Sequence, residues 1–299
     1  MLDEVNMKPQ QNDSLNPGAG RLVWVLPTLA LLMPAGCATT RVAAEPDREH
    51  EIVYYVDGAG GGGPIADWSR GVRAGLRQAG YRGAFVNYVW QTGLGALADQ
   101  QTSKAYKRSK AAGLARLIRQ HLDEHPNAEV SIIALSAGTA IAVFALEALP
   151  TERQVHDVFL LGSSMSANYD LTAALKRVRH HMYVYTSPDD SVLSFFVPLT
   201  GTADRRFCGQ CSAGLYGFRM PANANAETRS LYSKVENIAP KTGADAQNEA
   251  VGHTGQAGAR FIRERIAPLI LHEGPRFTVA DSGANGPPSG YASTRPSLN

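Results

Sequence analysis

Apolar and polar positions alternate in two different ways along the central part of this chain. Short apolar runs, typical of buried strands, occur at residues 52–56, 84–90, 130–135, 155–161 and 181–185. Apolar residues three or four positions apart, typical of helices, occur at residues 67–79, 104–124, 138–149 and 256–271. Strands are also predicted at two later runs, 214–220 and 233–238. Strands that alternate with helices predict an α/β fold with a mostly parallel central sheet and helices on both faces.

The N-terminal residues, 1–37, have the pattern of an export signal. Arg21 precedes an apolar run at 22–33, and small residues follow before Cys37. A run of about a dozen apolar residues is shorter than the roughly 20 that span a membrane. The letters MPAGC resemble a bacterial lipoprotein signal, in which a lipid on Cys37 tethers the chain to the membrane; a plain cleaved signal is the alternative. Both predict an exported protein of the periplasm or cell envelope.

Composition divides the remainder of the chain into three parts. We predict a tether at 38–49, a folded domain at 50–275 with an insertion or lid within 191–250, and a disordered tail at 276–299, rich in Pro, Gly and Ser. The chain has 299 residues, 44% of them hydrophobic, which is enough for a sizeable core. The net charge of +2, without any long basic run, argues against a nucleic-acid partner. The sequence does not indicate an oligomeric state.

Three cysteines are consistent with an oxidising compartment. If Cys37 carries a lipid, Cys208 and Cys211 remain as an even pair in the segment CGQC. This spacing predicts a small disulfide loop. Redox chemistry of the thioredoxin type would need the motif at a helix start beside a strand, whereas here it lies in a Gly- and Ser-rich region.

The strand at 130–135 runs directly into a serine and then into a helix. Such a sharp turn holds Ser136 in a strained backbone conformation and exposes its hydroxyl above the sheet. Strand and helix then lie so close that the residues two before and two after the serine must be small, as Ala134 and Gly138 are. Ser136 is therefore a candidate nucleophile. The alternative is a simple helix N-cap, a position that favours serine.

A nucleophilic serine needs a histidine as base and a carboxylate that orients it, in the chain order Ser, Asp or Glu, His. Asp189 and Asp190 follow a predicted strand, and His253 lies in a Gly-containing loop before the last predicted helix. Loops at the carboxyl ends of strands form the ligand sites of α/β sheets. We therefore expect these residues to meet Ser136, although ordinary turn chemistry would also explain the two aspartates.

A second requirement is a pair of backbone N–H groups that hold the negative oxygen of an acyl-transfer intermediate. One is expected from Ala137, which directly follows the serine, and one from the glycine-rich loop VDGAGGGG at 56–63. Ala59 is the first candidate in this loop, and Gly60 is the next. Glycines allow such a loop to turn tightly and to approach a substrate.

Together these features resemble the α/β-hydrolase superfamily, in particular its serine esterases and lipases. The resemblance spans residues 52–271 and includes the glycine-rich loop, the serine turn, SPDDSV at 187–192 and GH at 252–253. It implies an α/β-hydrolase fold, with catalysis by Ser136 and two partners: His253 as base and Asp190 as acid.

Details of the family pattern favour Asp190 over Asp189, because the family places its acid two residues before an aliphatic residue, here Val192. Two positions depart from the pattern. Asp57 stands where a histidine commonly precedes the loop glycine, and Ala134 replaces a glycine.

The function implied is an exported serine hydrolase that cleaves an ester or related acyl bond through an acyl-enzyme. The substrate would be a small-molecule or lipid ester, and the chemistry needs no cofactor and no metal. An inactive binding or surface protein on the same fold is the alternative. A dinucleotide-binding protein is a more distant one. Gly58, Gly60 and Gly63 match G-x-G-x-x-G, yet residues 68–98 contain no acidic residue to bind a ribose.

Other histidines receive a simpler interpretation. His121 and His125, four residues apart, would allow a metal site but fit a solvated helix face. His180 and His181 begin a predicted strand and are expected to contact solvent or a neighbouring loop.

Overall fold

The computed structural model describes residues 41–43 (backbone only), 51–63, 66–209, 211–240 and 252–272. The predicted export signal with Cys37 and the predicted tail at 276–299 lie outside these residues.

Within the described residues, the strands form one seven-stranded sheet. They are β1 (Arg41–Ala43), β2 (Glu51–Val56), β3 (Ala84–Tyr88), β4 (Glu129–Leu135), β5 (Asp157–Leu161), β6 (Met182–Tyr185) and β7 (Val235–Ile238). Their order is β1-β3-β2-β4-β5-β6-β7. Strands β2 to β7 are parallel, and β1, which falls in the stretch predicted as a tether, pairs antiparallel with β3. The predicted mostly parallel sheet is confirmed.

Helices connect these strands. They are α1 (Ser69–Gln78), α2 (Ala96–Gln101), α3 (Lys104–Glu124), α4 (Gly138–Ala148), α5 (Thr172–Leu175), α6 (Val197–Thr200), α7 (Ala213–Tyr216), α8 (Ala226–Tyr232), α9 (Ala259–Phe261) and α10 (Ala267–Ile270). A π-helical turn, Val192–Phe196, leads into α6, and another, Ile262–Ile266, joins α9 and α10 into one C-terminal helix. Among the described helices, none is both long and apolar enough to cross a membrane.

Helices cover both faces of the sheet. Side chains along each strand point alternately to one face and the other, so an apolar strand contributes to a core on each side. Ile52, Tyr54 and Val56 of β2 belong to the core that α3 and α4 cover. Val53 and Tyr55 belong to the second core, under α1 and the C-terminal helix. The fully buried run of β4 and the nearly all-apolar α4 follow from this burial on two sides.

Helix α1 packs unusually closely against the chain around the start of the C-terminal helix. Gly71 and Gly75 lie one turn apart on α1, and a side chain at either would collide with a carbonyl oxygen, that of Ala257 or of Ala259. The glycines therefore set the spacing between these two segments.

The prediction of a strand at 214–220 is wrong, because residues Ala213–Tyr216 form α7 instead. The backbone N–H groups of Ala213 and Gly214 donate to the carbonyls of Met165 and Ser163, both at 2.7 Å. These bonds tie the segment to the loop after β5 and remove it from the sheet. The predicted strand at 233–238 is present as β7. Cys208 and Cys211 form the predicted disulfide.

Candidate active site

Ser136 directly follows β4, at the edge of the sheet where the parallel strands end, which we call the carboxyl edge. Its φ angle is +51°, in the left-handed region that residues other than glycine rarely adopt. Its N–H donates to the carbonyl of Leu161 (2.9 Å), and its own carbonyl accepts the N–H and the hydroxyl of Thr139 (3.1 and 2.5 Å). These bonds hold the strained conformation in place. An ordinary N-cap would not require this conformation, which is the one expected of a serine at a nucleophile elbow.

Small residues allow the chain to make this turn. A side chain at Gly138 would collide with the backbone carbonyl oxygens of Val56 and Asp57 at the end of β2. A side chain at Gly58 would lie 3.2 Å from the Cβ atom of Ser136. Glycine at these positions therefore lets the glycine-rich loop and the serine turn lie in direct contact.

The three side chains expected to meet form a continuous hydrogen-bonded chain. The Nε2 atom of His253 lies 2.7 Å from the Ser136 hydroxyl oxygen, and its Nδ1 atom lies 2.7 Å from Oδ2 of Asp190. The side chains of Asp190 and His253 are 1% and 11% exposed, so most water is excluded from the second bond. Gly162 lies against the imidazole, where a Cβ atom would approach Nδ1 to 3.4 Å.

Asp190 is bound through both of its oxygens. Oδ2 accepts from His253, while Oδ1 accepts the backbone N–H groups of Val192 and Leu193 (2.9 and 3.1 Å) at the start of the π-helical turn. These bonds fix the orientation of the carboxylate. Asp189, the alternative acid, is exposed to solvent, and the carboxylate beside His253 is that of its neighbour.

The candidate oxyanion donors differ from their neighbours in what they bind. In the glycine-rich loop, the N–H groups of Gly58, Gly61 and Gly62 donate within the loop, to Asp57 or to the Gly58 carbonyl. The Gly60 N–H, the second candidate, is already bonded to Asp99 Oδ2 at 2.8 Å. Among the described residues, the N–H groups of Ala59 and Ala137 make no hydrogen bond. Both remain available to a substrate oxygen.

A family model described as "Alpha/beta hydrolase" matches residues 73–199. The match includes β4, the serine turn and Asp190, and it agrees with the parallel sheet and the turn geometry above. The chain has the α/β-hydrolase fold. No curated protein sequence matches it.

Solved structures that are similar to this chain share little sequence with it. A cutinase-like protein from Cryptococcus sp. is 17% identical, over 77% of this chain and 98% of that one, with a TM-score of 0.41. A carboxylesterase from Mesorhizobium loti is 14% identical, over 79% and 94%, with a TM-score of 0.43. Lipase B of Aspergillus fumigatus is 15% identical, over 78% and 56%, with a TM-score of 0.44.

Asp57 organises the glycine-rich loop. Its fully buried carboxylate accepts four hydrogen bonds. The donors are the hydroxyl of Tyr55 and the N–H groups of Gly58, Gly62 and Trp68, at 2.9–3.3 Å. Burial raises the pKa of Asp57 to about 6, although the four hydrogen bonds oppose the shift. The Asp57 carboxylate thus accepts all four hydrogen bonds that hold the loop, whereas a histidine has a single acceptor nitrogen.

Asp57→Asn should change how the stability of the protein depends on pH. The pKa of Asp57 rises from 3.8 to about 6 on folding, so the folded state binds a proton more tightly than the unfolded state does. Its contribution to stability is present below pH 3.8 and is lost as pH rises through 6. Relative to the variant, the wild-type free energy of unfolding should fall by about 2 kcal/mol between pH 4 and pH 7. Urea titrations of both proteins across this range measure the difference, and parallel curves would contradict the assignment.

Further side chains brace the same loop, and sequence reasoning did not find them. Asp99 of α2 is fully buried and accepts the N–H and hydroxyl of Thr92 (2.7 and 2.6 Å) as well as the Gly60 N–H. Gln91 donates to the Gly58 carbonyl, and the Trp90 indole donates to the carbonyl of Asp57, both at 2.8 Å. Most polar groups of the loop are therefore used to hold its own shape.

Metal-binding potential lies elsewhere in the described part of the molecule. The groups of three His, Asp or Glu side chains spaced to hold an ion include no residue of the carboxyl edge. The candidate active site is thus built from a hydroxyl, an imidazole, a carboxylate and backbone N–H groups.

Proposed function

We propose that this α/β hydrolase is an exported serine hydrolase that cleaves ester bonds by acyl transfer. The observation that supports this most strongly is the hydrogen-bonded chain from the Ser136 hydroxyl through His253 to Asp190, at a strained turn. The Cys208–Cys211 disulfide is compatible with an oxidising compartment outside the cytoplasm.

The mechanism follows from the atoms at the site. His253 Nε2 takes the proton of the Ser136 hydroxyl, and the oxygen attacks the acyl carbon to form a tetrahedral intermediate. The N–H groups of Ala59 and Ala137 hold its negative oxygen. His253 then donates the proton to the departing alcohol, and a water molecule releases the acyl group by the same steps. Asp190 keeps the Nδ1 proton on the imidazole and stabilises its cation.

Exposed apolar side chains occur in two segments that adjoin residues of the site, and they suggest the kind of acyl group. Leu94 and Leu97 flank Ala96, which packs against Gly60 of the loop, and they are 81% and 58% exposed. Phe195 and Leu199 follow Asp190 on the π-helical turn and α6, and they are 76% and 71% exposed. Each CH₂ group buried against such surface contributes about 0.8 kcal/mol. An ester with an apolar acyl chain therefore suits this surface better than an acetyl ester.

Labelling with a fluorophosphonate probe tests the proposal. We expect the wild type and Ser230→Ala, a change at an exposed serine of α8, to be labelled equally, and Ser136→Ala to be unlabelled. The same three proteins are then assayed on p-nitrophenyl esters from acetate to dodecanoate. Turnover should need Ser136 and should be faster for octanoate than for acetate.

Two outcomes would overturn the proposal. If the wild type is inert to both the probe and every ester, the chain is a binding protein on a hydrolase fold. If Ser136→Ala is labelled like the wild type, the nucleophile has been misassigned. A dinucleotide site is not favoured, because residues 68–98 contain no acidic residue to bind a ribose, and the N–H of Trp68, the N-cap of α1, already donates to Asp57.

A further inference from the structure

A cluster of imidazoles and carboxylates lies at the opposite edge of the sheet, where the parallel strands begin, which we call the amino edge. It comprises Glu129, the first residue of β4, His156 and Asp157 at the start of β5, His180 before β6, and His272 just after the C-terminal helix. The rings of His156 and His180 have centroids 3.9 Å apart, and those of His156 and His272 have centroids 4.8 Å apart. We call these five residues the amino-edge cluster.

His156 is the centre of this cluster and is held in one orientation. Its side chain is 8% exposed, and its Nδ1 atom lies 2.9 Å from Oδ2 of Asp157, whose side chain is 5% exposed. Asp157 is fixed in turn, because its Oδ1 accepts the N–H of His181 at 3.0 Å. Among the described residues, no hydrogen-bond partner occupies His156 Nε2. A buried carboxylate on one imidazole nitrogen, with the other nitrogen open, is the arrangement that orients histidine ligands of metals.

Two further ligand atoms lie beside this histidine. Glu129 Oε2 and His272 Nε2 are 3.0 Å apart, and one ligand atom from each of Glu129, His156 and His272 lies within 4.8 Å of the others. Ligand atoms on a tetrahedral zinc ion are about 3.3 Å apart. The exposed side chains of Glu129 and His272 can rotate by the small amount needed, while His156 stays fixed.

We propose that Glu129, His156 and His272 bind a divalent transition-metal ion of the zinc class, with Asp157 orienting His156 from behind. Two imidazole nitrogens and one carboxylate oxygen suit such ions, whereas Mg²⁺ requires oxygen ligands. His180 forms a second group with His156 and Asp157, but in that group Asp157 would be a ligand itself and would no longer orient the ring.

A metal ion here would join three elements that are distant in the sequence. Glu129 and His156 lie at the starts of neighbouring strands, and His272 lies just after the helix that follows the His253 loop. The ion would therefore fix the end of the C-terminal helix to the sheet. It would lie a full strand length, about 20 Å along β4, from Ser136.

Isothermal titration calorimetry of the metal-free full chain, prepared without a polyhistidine tag, tests the proposal. We expect one Zn²⁺ ion to bind per chain. Zn²⁺ should raise the melting temperature, and Mg²⁺ should leave it unchanged. When Co²⁺ replaces Zn²⁺, we expect the strong visible absorption bands of a tetrahedral Co²⁺ ion. Asp157→Asn should weaken Zn²⁺ binding roughly 10–100-fold, as loss of an orienting partner does. His272→Ala, which removes a ligand, should weaken it by more than Asp157→Asn does.

The matched control is the double variant His121→Ala, His125→Ala. These two histidines also lie close together, with ring centroids 4.8 Å apart at the C-terminal end of α3, and they are the alternative site if Zn²⁺ does not bind at the amino-edge cluster. The double variant should bind Zn²⁺ like the wild type. The proposal is overturned if the wild type does not bind Zn²⁺ below millimolar concentration, if His272→Ala binds it equally well, or if the double variant loses it. Fluorophosphonate labelling should be the same in His272→Ala and the wild type, so failure here is separate from failure of the proposed hydrolase activity.

Discussion

Asp190→Asn should lower kcat for ester hydrolysis about 10⁴-fold and leave KM nearly unchanged. The backbone N–H groups of Val192 and Leu193 will keep the carbonyl oxygen of the new amide in the place of Oδ1. Its NH₂ group then faces His253 Nδ1, where Oδ2 now lies. Because an NH₂ group donates, Nδ1 must become an acceptor and the imidazole proton moves to Nε2. A histidine in that state cannot accept the Ser136 proton.

Asp189→Asn is the matched control for this experiment. Its side chain is exposed at the neighbouring position, so the substitution removes the same charge without reaching the imidazole. We expect its kcat to stay within about twofold of the wild type, as surface changes usually do little. Steady-state kinetics on one p-nitrophenyl ester compares the three proteins. An equal loss in both variants, or a loss below tenfold in Asp190→Asn, would show that the acid is elsewhere.

Gly138→Ala should both destabilise the protein and lower kcat for ester hydrolysis. Alanine in place of glycine within a helix ordinarily stabilises by about 1 kcal/mol. Here the added methyl group collides with the carbonyl oxygens of Val56 and Asp57, which belong to a central strand and cannot move freely. Overpacking of this kind costs about 1–3 kcal/mol, so we expect a net loss. The loop that holds Ala59 must also move, and loss of one oxyanion donor lowers kcat about 10²–10³-fold.

Gly63→Ala provides the comparison, because it makes the same chemical change in the same glycine-rich loop. Among the described residues other than its chain neighbours, no atom lies within 4 Å of the methyl group that alanine would add at Gly63. We expect its urea midpoint and kcat to match those of the wild type. If Gly138→Ala is as stable and as active as Gly63→Ala, the contact between the serine turn and the end of β2 does not constrain the site.

The parts of the fold that sequence reasoning found are those whose own pattern decides their structure. Strand β4 is apolar on both faces, and its neighbours β2, β3, β5 and β6 have similar runs, so their burial is visible in the letters. The segment 214–220 has equally apolar letters but folds as α7, because its N–H groups bind the loop after β5. That binding depends on distant residues and leaves no local signal.

Helix α6 was not predicted from the sequence, because it contains a proline. The segment after Asp190 contains Pro198, which removes a backbone donor and normally ends a helix. Here a π-helical turn precedes it, and α6 continues with the proline in its first turn. Pro268 follows the π-helical turn of the C-terminal helix in the same way. Such turns mark places where the regular hydrogen-bond ladder is interrupted, and a proline is tolerated there.

The candidate site was visible in the sequence because its chemistry needs particular residue types in a fixed order. Ser136, Asp190 and His253 meet these requirements, and they lie within hydrogen-bond distance. Asp99 was missed, since a single acidic residue in ADQQ has no distinguishing neighbour. The amino-edge cluster was missed because its members come from four separate parts of the chain, and only the fold brings them together.

Helix α1 has a consequence for the active site although it supplies none of its atoms. Gly71 and Gly75 allow it to rest directly on the backbone at Ala257 and Ala259, just after the loop that presents His253. The distance between the Ser136 hydroxyl and the His253 imidazole therefore depends on Gly71 and Gly75, because the lack of side chains there allows α1 to pack so closely. Replacing either glycine with alanine would raise the helix propensity of α1. It would also displace the loop that carries His253, and catalysis would slow.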